Sequence, residues 1–167
     1  MTENEVTPCS ALPPRALETL LAPFGLAVEW LAPGADIPGS YWGAPEAGLI
    51  GSRLLIRPDT PVHSALHEAC HYICADRERR ANLHTNAGGT DTEENAVCYL
   101  QCLLADTLDG YSTQQIFIDM DAWGYNFILG SAAAWFVADS EDAKRWLDER
   151  SYLSADGRLL AGAAPRH

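Results

Sequence analysis

A chain of 167 residues with 47% apolar content is long enough to bury a real core and reads as one globular domain. Its formal charge of -12 makes a bare phosphate backbone a poor partner, because that affinity is drawn from Lys and Arg. No apolar run nears the ~18 residues of a membrane span, and five cysteines, an odd count, fit free thiols better than a disulfide framework.

Met1–Ser10 carries Glu3 and Glu5 and has neither a basic nor a hydrophobic leader segment, so a cytoplasmic protein is expected. Residues 1–12 read as a flexible N-terminus, residues 13–155 as a single domain and residues 156–167 as a tail. After Pro13-Pro14, Leu17, Leu20 and Leu21 share one side of a short helix that Pro23 and Gly25 end. The middle of 25–31 is strand-like, and Pro33-Gly34 is a turn. Residues 36–48, rich in Gly and Pro and holding Tyr41 and Trp42, read as a loop or short strand. Residues 49–56 make the strongest strand in the chain.

Thr60-Pro61 opens the next element, with a hydroxyl cap and a proline at the first helical position. The helix runs from Pro61 to about Asp76 and contains His67-Glu68-Ala69-Cys70-His71, an HExxH pattern. On a helix, positions i and i+4 leave the same face, so both imidazoles can grip one zinc ion at roughly 2.0–2.1 Å. Glu68, one residue round, can reach a water on that metal and take its proton. His63 lies one turn earlier on this face, where capping or support of a ligand suits it better than ligation. Cys70 and Cys74 read as small buried hydrophobes, with a thiolate ligand or redox brake as the sharper alternative.

Arg77, Arg79 and Arg80 form a basic cluster interrupted by Glu78 and read as a solvated helix end, with a loop to Thr92. Thr92 can cap a helix from Glu93 to about Leu104. Ser112 begins another helix over 113–123, and 131–137 and 141–150 also look helical. The aromatic residues of the last third, Trp123, Tyr125, Phe127, Trp135 and Phe136, read as packing.

A hydrolytic zinc site needs a third protein ligand and one open position. The candidates are His84, Asp91, Glu93 and Glu94. Glu93 heads the stripe Ala96, Val97, Leu100 and Leu104, and a carboxylate leading a buried stripe needs a partner. Glu94 heads Val97, Cys98, Gln101 and Ala105, which suits a partly exposed face. Glu93 is therefore taken as the ligand, with Glu94 as the alternative. Were Glu94 to ligate, Cys98 would face the site. Gly88–Asp91 is also faintly similar to the loop of aspartate-ligand zincins. His84, Tyr99, Tyr111 and Tyr125 are all eligible to stabilise a developing oxyanion.

The strand–turn–helix passage Leu54–Glu68 and the stretch Glu93-Glu-Asn-Ala96-Val97-Cys-Tyr99-Leu100-Gln-Cys-Leu103-Leu104 together resemble the ImmA/IrrE-like small gluzincins over roughly residues 15–105. Val97 stands where the wider group often has Asp or Asn, and Cys70 where Gly often precedes the second histidine. The resemblance implies an α+β fold, with a small antiparallel sheet packed on the HExxH helix and a glutamate helix, followed by extra C-terminal helices. It implies a zinc metallopeptidase with His67, His71 and Glu93 as ligands and Glu68 as base. It also implies a narrow protein or peptide substrate, with no direct role for nucleic acid or membrane. The competing expectation is a non-catalytic module that keeps the fold and binds a regulatory protein through the aromatic-rich C-terminal third.

Overall fold

The computed structural model describes residues 6–40, 43–83, 90–125, 127 and 129–160. Among these residues the chain is α+β, with a small sheet and seven α-helices. The sheet comprises β1 (Ala27–Trp30), β2 (Gly48–Ile50) and β3 (Arg53–Ile56) in the order β1-β3-β2. It is mixed rather than antiparallel: β2 pairs antiparallel with β3, while β1 runs parallel to it, with Val28 opposite Leu54. The parallel pair arises because β1 and β3 are separated by the whole segment 31–52, not by a tight turn.

The stretch expected as one strand over 49–56 is a hairpin. Gly51, at φ 56°, turns the chain in the left-handed region open to glycine. A side chain at Gly48 would meet the Pro38 carbonyl oxygen at 2.1 Å, so the incoming loop lies hard against β2.

Helix α1 (Ala16–Leu21) precedes β1 and buries Leu17 and Leu21. The central helix is α2 (Val62–Cys74). Its start differs from the sequence expectation: the Thr60 hydroxyl accepts from the Arg57 amide at 2.9 Å, and Pro61 occupies the N-cap position. The preceding residues are docked here rather than frayed. The Cys9 amide donates to the Thr60 carbonyl at 2.7 Å, the Val62 amide donates to the Thr7 carbonyl at 2.9 Å, and Cys9 is buried. At the other end of α2, the Arg80 guanidinium donates to the Tyr72 and Ile73 carbonyls, and the Tyr152 hydroxyl donates to the Ile73 carbonyl. Carbonyls that a helix end leaves orphaned are thus satisfied by side chains.

Arg80 is therefore buried and stacked on the Tyr72 ring at 4.2 Å, and belongs to a short helix, α3 (Arg77–Ala81). The solvated-end expectation fails there because cationic donors complement a helix C-terminus. Helix α4 (Asp91–Thr107) begins two residues before the expected start, with the Thr90 hydroxyl accepting from the Glu93 amide at 3.1 Å. Helices α5 (Thr113–Trp123), α6 (Ala132–Ala138) and α7 (Glu141–Glu149) follow, the first two capped by Ser112 and Ser131. Helix α4 packs against α2, α5 and α7 at once. Its residues 96–102 are consequently all buried. The aromatic residues of the last third contribute to this packing: Phe136 stacks on Tyr99 at 4.6 Å, and Phe127 on Trp135 at 5.1 Å. Among the described residues no helix is long and apolar enough to cross a membrane.

Candidate metal centre

The i, i+4 spacing on α2 puts His67 and His71 side by side, with ring centroids 4.8 Å apart. Both Nε2 atoms turn towards α4, where a single carboxylate meets them. Glu94 Oε1 lies 3.0 Å from His67 Nε2, and Glu94 Oε2 lies 3.1 Å from His71 Nε2. Those separations are close to the ~3.3 Å edge of a tetrahedron with metal–ligand bonds of ~2.0–2.1 Å.

Potential ligand atoms fall into two overlapping groups, each with its members within 4.8 Å of one another: His67, Glu94 and Cys98, and His67, Glu68 and His71. Glu68 therefore stands on the same side as the imidazoles, as the motif requires. The donor set of imidazole nitrogens, carboxylate and thiol fits zinc, without being specific to it.

The placement of Glu93 corrects the sequence expectation. Glu93 is buried, and its carboxylate accepts from Arg79 Nη1 at 2.8 Å and Nη2 at 2.7 Å. The premise that a buried carboxylate needs a partner holds, but the partner is a guanidinium from α3. The stripe argument could not choose between the two glutamates because Val97, Cys98, Gln101 and Ala105 behind Glu94 are as buried as the residues behind Glu93. Asp91 is exposed at the first turn of α4 and belongs to neither ligand group. His84 and Gly88 lie outside the described residues.

Sequence reasoning passed over Gln101. It is completely buried, and its Nε2 donates to the His63 carbonyl oxygen at 2.7 Å. A carbonyl can only accept, so the amide orientation is fixed and Gln101 Oε1 must face His67 Nδ1, 3.0 Å away. Nδ1 of His67 therefore carries a proton, and Nε2 is the atom turned to Glu94. A polar residue inside an otherwise apolar stripe was the signal that could have found it. His71 has no such support: its Nδ1 is buried and has no hydrogen-bond partner among the described residues.

His63 belongs to neither ligand group. Its Nδ1 lies 3.2 Å from the Tyr125 hydroxyl, which also accepts from Gln101 Nε2 at 3.3 Å. Burial, reinforced by the nearby His67 charge, pushes His63 down to a pKa of about 3. Of the described candidate tyrosines, Tyr125 is the one whose ring packs against His67, with centroids 6.0 Å apart. Tyr111 donates to Asp119 at 2.6 Å, and Tyr99 lies in the aromatic stack.

Burial would lower His67, but Tyr125, Cys98 and Glu94 outweigh it and hold the imidazolium well above the ordinary range. Burial likewise opposes ionisation of Glu94, yet the two imidazoles hold it well below the usual carboxylate range. Glu68 is raised, chiefly by burial, with Glu94 and Glu46 adding to the effect and the two histidines opposing it. Glu46 is a second carboxylate that the sequence did not single out. It sits just before β2, held by Trp123 Nε1 at 2.9 Å, while the adjacent Ala47 amide donates to the Ser64 hydroxyl on α2. Cys70 and Cys74 are buried in the core and join neither ligand group.

No family model, no curated protein and no solved structure matches the chain.

Proposed function

We propose that the chain is a zinc-dependent peptide hydrolase of the gluzincin kind, with His67, His71 and Glu94 as ligands and Glu68 as general base. The observation that carries this reading is the Glu94 carboxylate set against both Nε2 atoms at 3.0 and 3.1 Å. Glu68, the base position of an HExxH motif, lies within 4.8 Å of both histidines' potential ligand atoms. Zinc held there would lower the pKa of a water towards ~7 and polarise a scissile carbonyl.

The chain's own residues do the rest. Gln101 fixes the His67 tautomer so that Nε2 is the ligating atom. Glu68 takes the proton of the attacking water and returns it to the leaving amine. Its raised pKa favours that second step, because a carboxyl that holds its proton more readily is the better acid near neutral pH. A narrow protein or peptide substrate follows from the family resemblance.

Zinc per molecule in the wild type and in His67→Ala, His71→Ala and Glu94→Gln tests the centre. About one zinc per wild-type chain, lost in each variant, is expected. Full occupancy in all three variants overturns the assignment.

A further inference from the structure

We infer that Cys98 is a fourth protein ligand, whose thiolate closes the metal position that a hydrolytic water would need. The inference rests on the metal centre proposed above and concerns how that centre is regulated. Glu94 and Cys98 are one turn apart on α4, so both project from one face towards α2. The Cys98 sulfur lies within 4.8 Å of the ligand atoms of both His67 and Glu94, and a tetrahedral zinc would bring sulfur and nitrogen to about 3.5 Å.

The other thiols on these two helices are spent elsewhere. Cys70 and Cys74 are wholly buried, and Cys102 lies against the Met120 sulfur at 4.0 Å. Cys98 alone among the described cysteines joins a potential ligand group. Coordination would deprotonate the thiol, and thiolate is a strong zinc ligand.

Four protein ligands make a closed site, whereas hydrolysis needs one position open to water. A centre held by all four of these residues would be latent, with no position for water beside Glu68 while the Cys98 sulfur is bound.

Cobalt(II) substituted into the full chain reads the ligands directly. The wild type should show an intense near-ultraviolet thiolate-to-cobalt charge-transfer band. Cys98→Ser and Cys98→Ala should lose that band while keeping cobalt, and Cys70→Ser, Cys74→Ser and Cys102→Ser should retain it. Acetohydroxamate should alter the visible cobalt spectrum of Cys98→Ala and leave that of the wild type unchanged. Cobalt bound in a His67-dependent way without a thiolate band overturns the role of Cys98 and leaves the three-ligand centre standing. A band that survives in Cys98→Ser but vanishes in Cys70→Ser or Cys74→Ser also overturns it. Failure of the wild type to bind cobalt or zinc removes both proposals.

Discussion

Gln101 accepts the Nδ1 proton of His67 at 3.0 Å while its own amide group donates to the carbonyl of His63, one turn back on the same helix as His67. The contact ties α4 to α2 at the level of the first histidine and leaves its Nε2 as the atom presented to Glu94. Gln101→Leu should therefore weaken zinc binding by roughly 10–100-fold, the usual worth of such a partner. Gln101→Glu, which still accepts from Nδ1 but can no longer donate to the His63 carbonyl, should lose less zinc affinity than Gln101→Leu while lowering stability. A competition titration against a chromophoric chelator checks both, with circular dichroism as the folding control.

The two adjacent glutamates should separate cleanly. Glu94→Gln removes a charged ligand and should strip the metal. Glu93→Gln should keep the metal but lower stability by about 1–3 kcal/mol, because Arg79 loses a paired, mostly buried carboxylate. Zinc content and urea midpoints of the two variants decide it. The reverse pattern would mean that α4 is turned by one residue.

Glu68→Gln keeps shape and volume and removes only the base. Zinc occupancy and folding should stay near wild type, while hydrolysis should fall by roughly 10²–10⁴-fold. With Cys98→Ala as the background, so that the metal is open, the protein fragments generated in host cells can be compared with and without Glu68→Gln. Identical fragment patterns would mean the domain does not cleave.

Stability of the metal-free protein should pass through a maximum between about pH 6 and 7. His63 is buried neutral with its pKa pushed down to about 3, so below its unfolded value of about 6.5 the unfolded chain binds the extra proton. Stability then falls with falling pH, by at most about 1.4 kcal/mol per unit from this group. His67 is raised well above its ordinary value, so its contribution is complete below about 6.5 and is lost as pH rises through the folded-state value. Zinc binding needs the proton of His67 Nε2 to leave, so saturating zinc should remove the alkaline limb. Thermal midpoints across roughly pH 5–9, with and without zinc, test this. A metal-free midpoint that rises steadily through about pH 8 would contradict the His67 assignment.

The amino-acid sequence by itself determined what is local. The HExxH spacing on α2 places His67 and His71 on one face whatever surrounds the helix, because the ~3.6-residue period is a property of the backbone. Ser112 as a cap was equally legible, since a cap bonds within about three residues of itself, whereas Ser131, read as the first residue of the helix over 131–137, is its cap. The strand expected over 49–56 broke at Gly51 because an apolar run alone does not reveal a reversal within it. The order and direction of the three strands depend on a connection over 31–52 that no period encodes.

The tertiary structure alone decided which glutamate meets the histidines. Helix α4 is packed by α2, α5 and α7, so its apolar residues run all round it and no single stripe marks the face turned to α2. The choice was made by Arg79, on a separate helix, which takes Glu93 in a two-point ion pair and leaves Glu94, with Cys98 and Gln101 behind it, facing His67 and His71. A pairing between side chains 14 residues apart is a long-range charge match, and it leaves no periodic signature in the chain.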